Sequence, residues 1–526
     1  MINLIPRPCS AKECGCMVPF SSKTRLTGEF GSIFELLSQL LPTPVRAGDN
    51  QLTFVRDDRI AKEGYHITCA EQNICITASD AAGAFYGVMT LLQLCAGKDW
   101  FQAVEIEDCP RFAHRGFMLD CARHFWSVEK IKQILDIMAL LKMNVFHWHL
   151  SDDQGWRVEI KRYPLLTQKG SIRKSTPLSL RGYEEHMEPR DNTEYGRGLF
   201  YTQQQIREVV EYARSRFIEI IPEIDMPGHL VSAIACYPEL SCSGEAVEVC
   251  DRWGVMDNIA CCGKEEIYRF ARDVIDELCE LFPYPYFHIG GDEVPKTRWK
   301  KCPHCQEKIR ALGLRDEEAL QGYFNNVIAG YLKEKGKYTI GWNEILKSET
   351  LDHHIIPQWW IPLDGSVREK AWLAGGGKMI LSFLPYVYMD HAYAMRPLEK
   401  TYSFGPESLG LTEDTNILGI EAPQWTEYIR DEEKLDFNTF ARLMAIAEAG
   451  WTERNRKDYQ DFETRLESMR EYFASIGVTV PPAWIYRGES LGKPLPDEQA
   501  WAEKAYAAWG DDPYFELRLA REQQPV

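Results

Sequence analysis

NVFHWHL, residues 144–150, is an apolar run too short for a helix, and it breaks off into the acids Asp152 and Asp153. Directly before it, SVEKIKQILDIMALLKM (127–143) repeats apolar side chains at the three- and four-residue spacing of a helix. The pairing recurs along the chain. The short runs are RGFMLD (115–120), NVFHWHL, FIEIIPEID (217–225), YFHIGG (286–291), YTIGW (338–342), IIPQWW (355–360), KMILSF (378–383) and NILGIEA (416–422), eight in all. TQQQIREVVEYARSRF (202–217), KEEIYRFARDVIDELCELF (264–282) and EALQGYFNNVIAGYLKEKG (318–336) are helical segments between the early runs. Eight strands alternating with helices predict an α/β fold, a (β/α)8 TIM barrel with its chemistry at the C-terminal strand ends. The helical stretches 437–453 and 459–477 would close it.

Outside the barrel the pattern changes. GYHITCA (64–70) and NICITAS (73–79) alternate apolar and polar residues in the period of two of half-buried strands. Ser79 or Asp80 can cap a following helix whose apolar face runs through Phe85, Val88, Leu91, Leu92 and Leu94. Pro110 stops regular structure after it. The expected division is a small α+β accessory domain over 1–110, the catalytic barrel over 111–482 and a helical extension over 483–526.

The 526 residues carry a formal charge of −18, with 45% hydrophobic and 26% charged residues. Such a balance predicts a folded protein and argues against nucleic acid or an anionic membrane as partner, since both call for a basic patch. No run of about 18 apolar residues is present. The start, MINLIPRPCSAKECGC, shows no basic segment followed by an apolar one, so the expected location is cytoplasmic. Sixteen Cys then read as reduced thiols. The one sharp spacing is Cys302-Pro-His-Cys305, with Cys261-Cys262 as a conceivable second half. A structural zinc site would want a second CxxC or paired His, so the expectation is plain thiols, no metal and no cofactor.

The residues just after each run are rich in acids and aromatics. They are Asp120, Arg123 and His124, then Asp152, Asp153 and Trp156, then Glu223, Asp225 and His229, then Asp292 and Glu293. Later runs add Trp342 with Glu344, Trp359 with Trp360, Tyr388 with Asp390, and Trp425 with Glu427. Carboxylates accept hydroxyl hydrogen bonds and indole faces cover apolar C–H surfaces, so a carbohydrate is the first ligand this chemistry suggests. The pairs 388/390, 425/427 and 342/344 are spaced i, i+2, which in extended backbone puts both members on one side. Packing alone is an alternative reading for any single aromatic.

HIGGDE (288–293) is the most specific local signal. Its glycines allow a tight turn, and two adjacent acids follow at the barrel mouth. In extended backbone adjacent carboxylates point to opposite sides, which does not suit the paired acids of an ordinary retaining glycosidase, about 5 to 5.5 Å apart. A different division of labour is expected, one acid protonating the leaving oxygen and the other steering a nucleophilic group on the substrate. His147-Trp148-His149 offers a rival, because an HxH pair on a barrel strand can hold metal in an amidohydrolase.

LDCARHF, NVFHWHLSDDQGWR, PEIDMPGH, HIGGDE, GWNEIL, YVYMD and GIEAPQWTE, in that order, resemble the β-N-acetylhexosaminidases, family 20 of the glycoside hydrolases. ASDAAGAFYGVMTLLQL is similar to the end of that family's accessory domain. The resemblance implies an exo-acting, retaining enzyme releasing terminal β-linked GlcNAc or GalNAc from oligosaccharides. In it Glu293 is the general acid/base, Asp292 orients the 2-acetamido group and Tyr388 binds the acetamido oxygen. It further implies Asp152 and His229 as a network around Glu293. Trp342, Trp360 and Trp425 become aromatic walls, with Trp359 an alternative to Trp360. Arg123, Asp390 and Glu427 become holders of the ring hydroxyls. Cys121-Ala122 and the QWW ending depart from the family's more usual residues, and EHMEPRDNTEYGRGLF (185–200) reads as an extended loop bearing on aglycone choice. The alternatives are a disaccharide-releasing member of the family, the metal-dependent amidohydrolase and a non-catalytic sugar-binding protein. Oligomeric state stays open, with a homodimer among the options.

Overall fold

A computed structural model of the chain describes residues 2–41, 50–70, 73–179, 188–412, 416–489 and 507–522. Residues 490–506 and 523–526 of the expected C-terminal extension, and the first three residues of the 185–200 loop, lie outside that set.

The N-terminal region folds as one six-stranded sheet: β1 (Ser10–Pro19), β2 (Arg25–Gly28), β3 (Gln51–Arg56), β4 (Tyr65–Ala70), β5 (Asn73–Ala78) and β6 (Trp100–Asp108), in the order β1-β6-β4-β5-β3-β2. One face is covered by α1 (Ala81–Cys95), whose N-cap is Asp80: its carboxylate accepts the Gly83 N–H. The sheet is tied to the barrel through a buried polar knot. Asp108 at the end of β6 accepts from the Lys142 ammonium at 2.8 Å and from the Trp451 indole at 2.8 Å.

Eight parallel strands then close into a barrel: β7 (His114–Asp120), β8 (Val145–His149), β9 (Glu219–Glu223), β10 (Tyr286–His288), β11 (Tyr338–Trp342), β12 (Ile356–Trp359), β13 (Met379–Leu381) and β14 (Ile417–Gln424). β7 and β8 are buried at every residue, which is why such strands read as continuous apolar runs rather than alternating ones. The crossovers begin with α2 (Val128–Leu140), α3 (Gln203–Ser215) and α4 (Glu265–Leu281). α2 starts where Ser127 accepts the Lys130 N–H, and α3 where Thr202 and Gln205 form a reciprocal capping box. Between β10 and β11 lie α5 (Thr297–Lys301), α6 (Pro303–Leu312) and α7 (Glu317–Glu334). The link from β11 to β12 holds only a 3-10 turn, Asn343–Lys347, so strand and helix do not alternate at that step. α8 (Val367–Ala374) follows β12, and α9 (Glu432–Trp451), buried from Lys434 to its end, closes the ring. No described helix is long and apolar enough to cross a membrane.

Candidate active site

Alternate residues of each strand point inward, so the barrel can be followed in layers. Val145, Ile221, Ile340, Ile356 and Ile380 form an apolar layer. Two residues further along come His147, Glu223, Trp342 and Gln358, all buried. Glu223 lies 3.2 Å from His147 Nε2, accepts the Trp342 indole N–H at 2.8 Å and also hydrogen-bonds His149. Glu421 meets His114 at 2.9 Å and His147 Nδ1 at 2.8 Å. This buried polar layer, with its Glu–His pairs, lies directly under the catalytic candidates.

His149 Nε2 meets Asp152 at 2.9 Å, and the other Asp152 oxygen meets His229 Nδ1 at 3.1 Å. His229 Nε2 in turn lies 3.3 Å from Glu293 Oε2 and 3.8 Å from Asp292 Oδ2. Asp292 and Glu293 follow a turn in which Gly290 and Gly291 have φ of +67° and +95°, and Glu293 itself has φ +46°. Gly290 is required for a second reason: a Cβ there would sit 1.8 Å from Asp225 Oδ1. Asp225 fixes the turn by accepting the Gly291 N–H at 3.0 Å. Glu344 accepts the Glu293 N–H at 3.0 Å.

Burial lifts the Asp292 carboxyl to about 7, the Glu293 and Glu344 charges adding to the rise against the opposing pull of His229. Burial also pushes Asp225 well above the carboxylate range, with Asp292 reinforcing it. Glu293 goes the other way, because the hydrogen bond and charge of His229 outweigh its burial. These directions are the reverse of the charge assignment that a general acid at Glu293 needs. His229, beside Glu293, is itself raised well above neutral imidazole because Asp152, Asp153 and Glu293 overcome its burial.

The facing wall comes from β7, β12, β13 and β14. Arg123 pairs with Asp152 at 2.8 Å and Asp120 at 3.2 Å, and its guanidinium lies 5.1 Å from the Trp425 ring centre. Glu427 Oε1 is 3.8 Å from Arg123. Burial raises the Glu427 carboxyl to about 7 despite that arginine. Trp360 stacks on Tyr388 at 6.0 Å and 18°, and the Trp425 indole hydrogen-bonds the Tyr388 hydroxyl. Arg123, Asp152, His229, Asp292, Glu293, Trp360, Tyr388, Asp390, Trp425 and Glu427 all border one cavity of about 160 Å³, the scale of a single sugar unit. Trp342 lies beneath it, 5.8 Å from Trp425.

Several expectations change. Glu293 is left-handed, so the two acids do not take opposite sides of an extended chain; the turn brings both to His229. The pairs 388/390 and 425/427 do face the cavity together, whereas Trp342 points into the barrel and Glu344, in the 3-10 turn, braces the Glu293 amide. Trp359 is fully buried beside Phe383, which leaves Trp360 as the wall. The HxH imidazoles pair with Glu223, Glu421 and Asp152 inside the barrel. Asp225 and His391 also border the cavity without having been assigned a role from sequence. Cys302 and Cys305 meet Cys261, half of the conceivable second pair, together with Cys242, which the spacing did not single out.

Comparison with known proteins places these features in one family. Residues 112–454 match the profile described as glycosyl hydrolase family 20, catalytic domain, and residues 2–109 that of glycosyl hydrolase family 20, domain 2. The chain belongs to glycosyl hydrolase family 20. A beta-hexosaminidase of Porphyromonas gingivalis is 41% identical over 430 residues, 78% of this chain and 53% of that protein. This chain thus spans about half the length of that relative. A solved beta-N-acetylhexosaminidase of Bacteroides fragilis superposes with TM-score 0.79 at 31% identity, covering 92% of this chain and 98% of that one. A Vibrio harveyi exo beta-N-acetylglucosaminidase, solved with N-acetylglucosamine, gives TM-score 0.78 at 30% identity over 92% of this chain and 79% of its own. The barrel is accordingly the catalytic domain of a family 20 glycoside hydrolase.

Proposed function

We propose that the whole protein releases single β-linked N-acetylhexosamine units from the non-reducing ends of oligosaccharides, with help from the substrate's own acetamido group. The adjacency of Asp292 and Glu293 beside His229, across a one-sugar cavity from Tyr388 and Trp360, carries this reading. Family 20 enzymes are known exceptions to the scheme with two catalytic carboxylates. The acetamido oxygen attacks the anomeric carbon as the bond to the leaving oxygen breaks, and Glu293 supplies that oxygen's proton. Ionised Asp292 holds the acetamido N–H and offsets the positive charge of the oxazolinium formed. Glu293, now a carboxylate, takes a proton from the water that opens the ring, and the β configuration is retained. His229 and Asp152 set the protonation of Glu293, and Tyr388 hydrogen-bonds the acetamido oxygen.

Arg123, Asp390 and Glu427 hold the ring hydroxyls, while Trp425 covers the ring and Trp342 supports it from below. A long chain rich in cysteine is expected to keep its thiols reduced, which fits a cytoplasmic location and a role in carbohydrate metabolism there. A panel of aryl 2-acetamido-2-deoxy-β-glycosides tests the reading and ranks the gluco against the galacto sugar. Equal turnover of a plain β-glucoside lacking the acetamido group overturns it.

A further inference from the structure

Four cysteines from two loops, one after β9 and one after β10, meet in a single cluster. Cys242 follows the turn Pro238–Leu240, and Cys261 follows Ala260, whose backbone pairs with Ser241. Cys302 lies between α5 and α6, and Cys305 in the first turn of α6. The four sulfurs all lie within 4.8 Å of one another. Cys261 is 3.6 Å from Cys302 and 3.6 Å from Cys305, and Cys242 is 4.0 Å from Cys305. These spacings are far beyond a disulfide, at about 2.05 Å. A regular tetrahedron of sulfurs about 2.3 Å from a central zinc has edges of about 3.8 Å. The observed separations bracket that edge.

We propose that Cys242, Cys261, Cys302 and Cys305 bind one structural zinc ion as a tetrathiolate. Tetrahedral four-sulfur sets of this kind suit zinc, and a closed set with no open position serves structure rather than catalysis. The surroundings are built for close approach and for negative sulfur. A Cβ on Gly263 would lie 2.3 Å from the Cys305 nitrogen and 2.3 Å from the His304 carbonyl carbon, so only glycine lets the two segments close. The Gly263 N–H donates to the Cys261 sulfur, and the N-terminus of α6 opens directly at Cys302. Loading releases the thiol protons as the sulfur–zinc bonds form. CxxC supplies half of the ligands and two single cysteines the other half, which is why spacing alone did not disclose the set.

The ion would pin together the two loops that carry the catalytic groups. Ala260, next to Cys261, donates its N–H to Pro227 O at 2.9 Å, two positions before His229. The Trp299 indole, six positions after Glu293, donates to Ala260 O at 2.8 Å. The cysteines are thus positioning residues for His229 and the acid pair.

The test is metal analysis of the intact protein, purified without chelator and exchanged into metal-depleted buffer. About one zinc per chain is expected, falling below about a tenth in Cys302→Ser and Cys305→Ser. It should be unchanged in Cys9→Ser, which alters the separate Cys9–Cys109 contact of 3.8 Å. Should the serine variants fail to fold, wild-type protein titrated with an organomercurial should release its zinc in step with modification of four thiols. Cobalt exchange should give the sulfur-to-cobalt charge-transfer bands of a tetrahedral tetrathiolate. No stoichiometric metal, iron in place of zinc, or zinc retained by both serine variants would overturn the proposal.

Discussion

His229 Nε2 stands 3.3 Å from Glu293 Oε2, the closest approach of a cationic group to the proposed acid. The imidazole is anchored at its other nitrogen by Asp152 at 3.1 Å, so it cannot turn away. In the proposed reaction a proton held on His229 leaves Glu293 a carboxylate, and a leaving group with rising electron density draws that proton across.

Glu293→Gln should cost about 10² to 10⁴-fold in turnover on substrates with poor leaving groups, the usual worth of general acid help. On an activated aryl glycoside the loss should shrink, because less protonation is needed. Steady-state kinetics on both substrate classes checks this; equal losses would give Glu293 another role.

Asp292 must be ionised to hold a positive acetamido nitrogen, and its carboxyl is raised to about 7, chiefly by burial. Below that pH the group is neutral and kcat/KM should fall; above it the charge is in place. Asp292→Asn should lose about 10²-fold or more and should also lose the acidic limb of the pH profile. An unchanged limb in the variant would assign it to a different group.

Gly290→Ala should disable the site at a distance from the substrate. The added methyl would sit 1.8 Å from Asp225 Oδ1, and the native φ of +67° is strained for any side chain. Activity should drop by more than about tenfold while circular dichroism keeps its native form. Native kinetics in this variant would show that Asp225 gives way without consequence.

The charged layer makes a prediction about stability. Glu421 and Glu223 hold the His147 imidazolium to about 9, against the opposing effect of burial. Its unfolded value is near 6.5, so this contribution is complete below about 6.5 and fades as the pH rises through about 9. Thermal melts should show the decline over that window. Glu223→Gln, which leaves the facing imidazoles short of an anion, should destabilise by about 3 to 5 kcal/mol in denaturant titrations.

Glu427→Gln should weaken transition-state binding by about 1.5 to 3 kcal/mol if it accepts a hydrogen bond from a ring hydroxyl. Time courses on a chito-oligosaccharide should release monosaccharide from the first minutes, one unit at a time. Early disaccharide with little monosaccharide would mean that the non-reducing end of the cavity is open.

What could be read in the sequence follows from how each feature is encoded. Strands buried on both faces leave unbroken apolar runs, so all eight were visible; NVFHWHL and NILGIEA differ from β8 and β14 only at their ends. The helices announced themselves through apolar side chains at helical spacing, and the structure adds caps such as Ser127 and Thr202. The 3-10 turn after β11 did not, because a missing helix has no periodicity to detect. Asp225 was visible at a strand end, but its role depends on Gly290, sixty-five positions away, leaving room for its carboxylate. Cys242 carried no signal and Cys261 only its adjacency to Cys262; the folding of the loop after β9 against α6 brings both to the CxxC pair.

The linkage of Asp292 to Glu293 through one peptide unit separates two kinds of error in the assembled site. Strand-to-strand breathing changes distances between groups on different staves of the barrel, whereas a covalent bond keeps these two in fixed register. Tyr388 and Trp360 belong to other strands and can drift from the acids as a unit, since they stack on each other. On warming, the gap between the acid pair and the aromatic pair is therefore expected to loosen before the spacing within either pair. In the proposed reaction, precision then rests on the stiffness of a single diameter of the barrel.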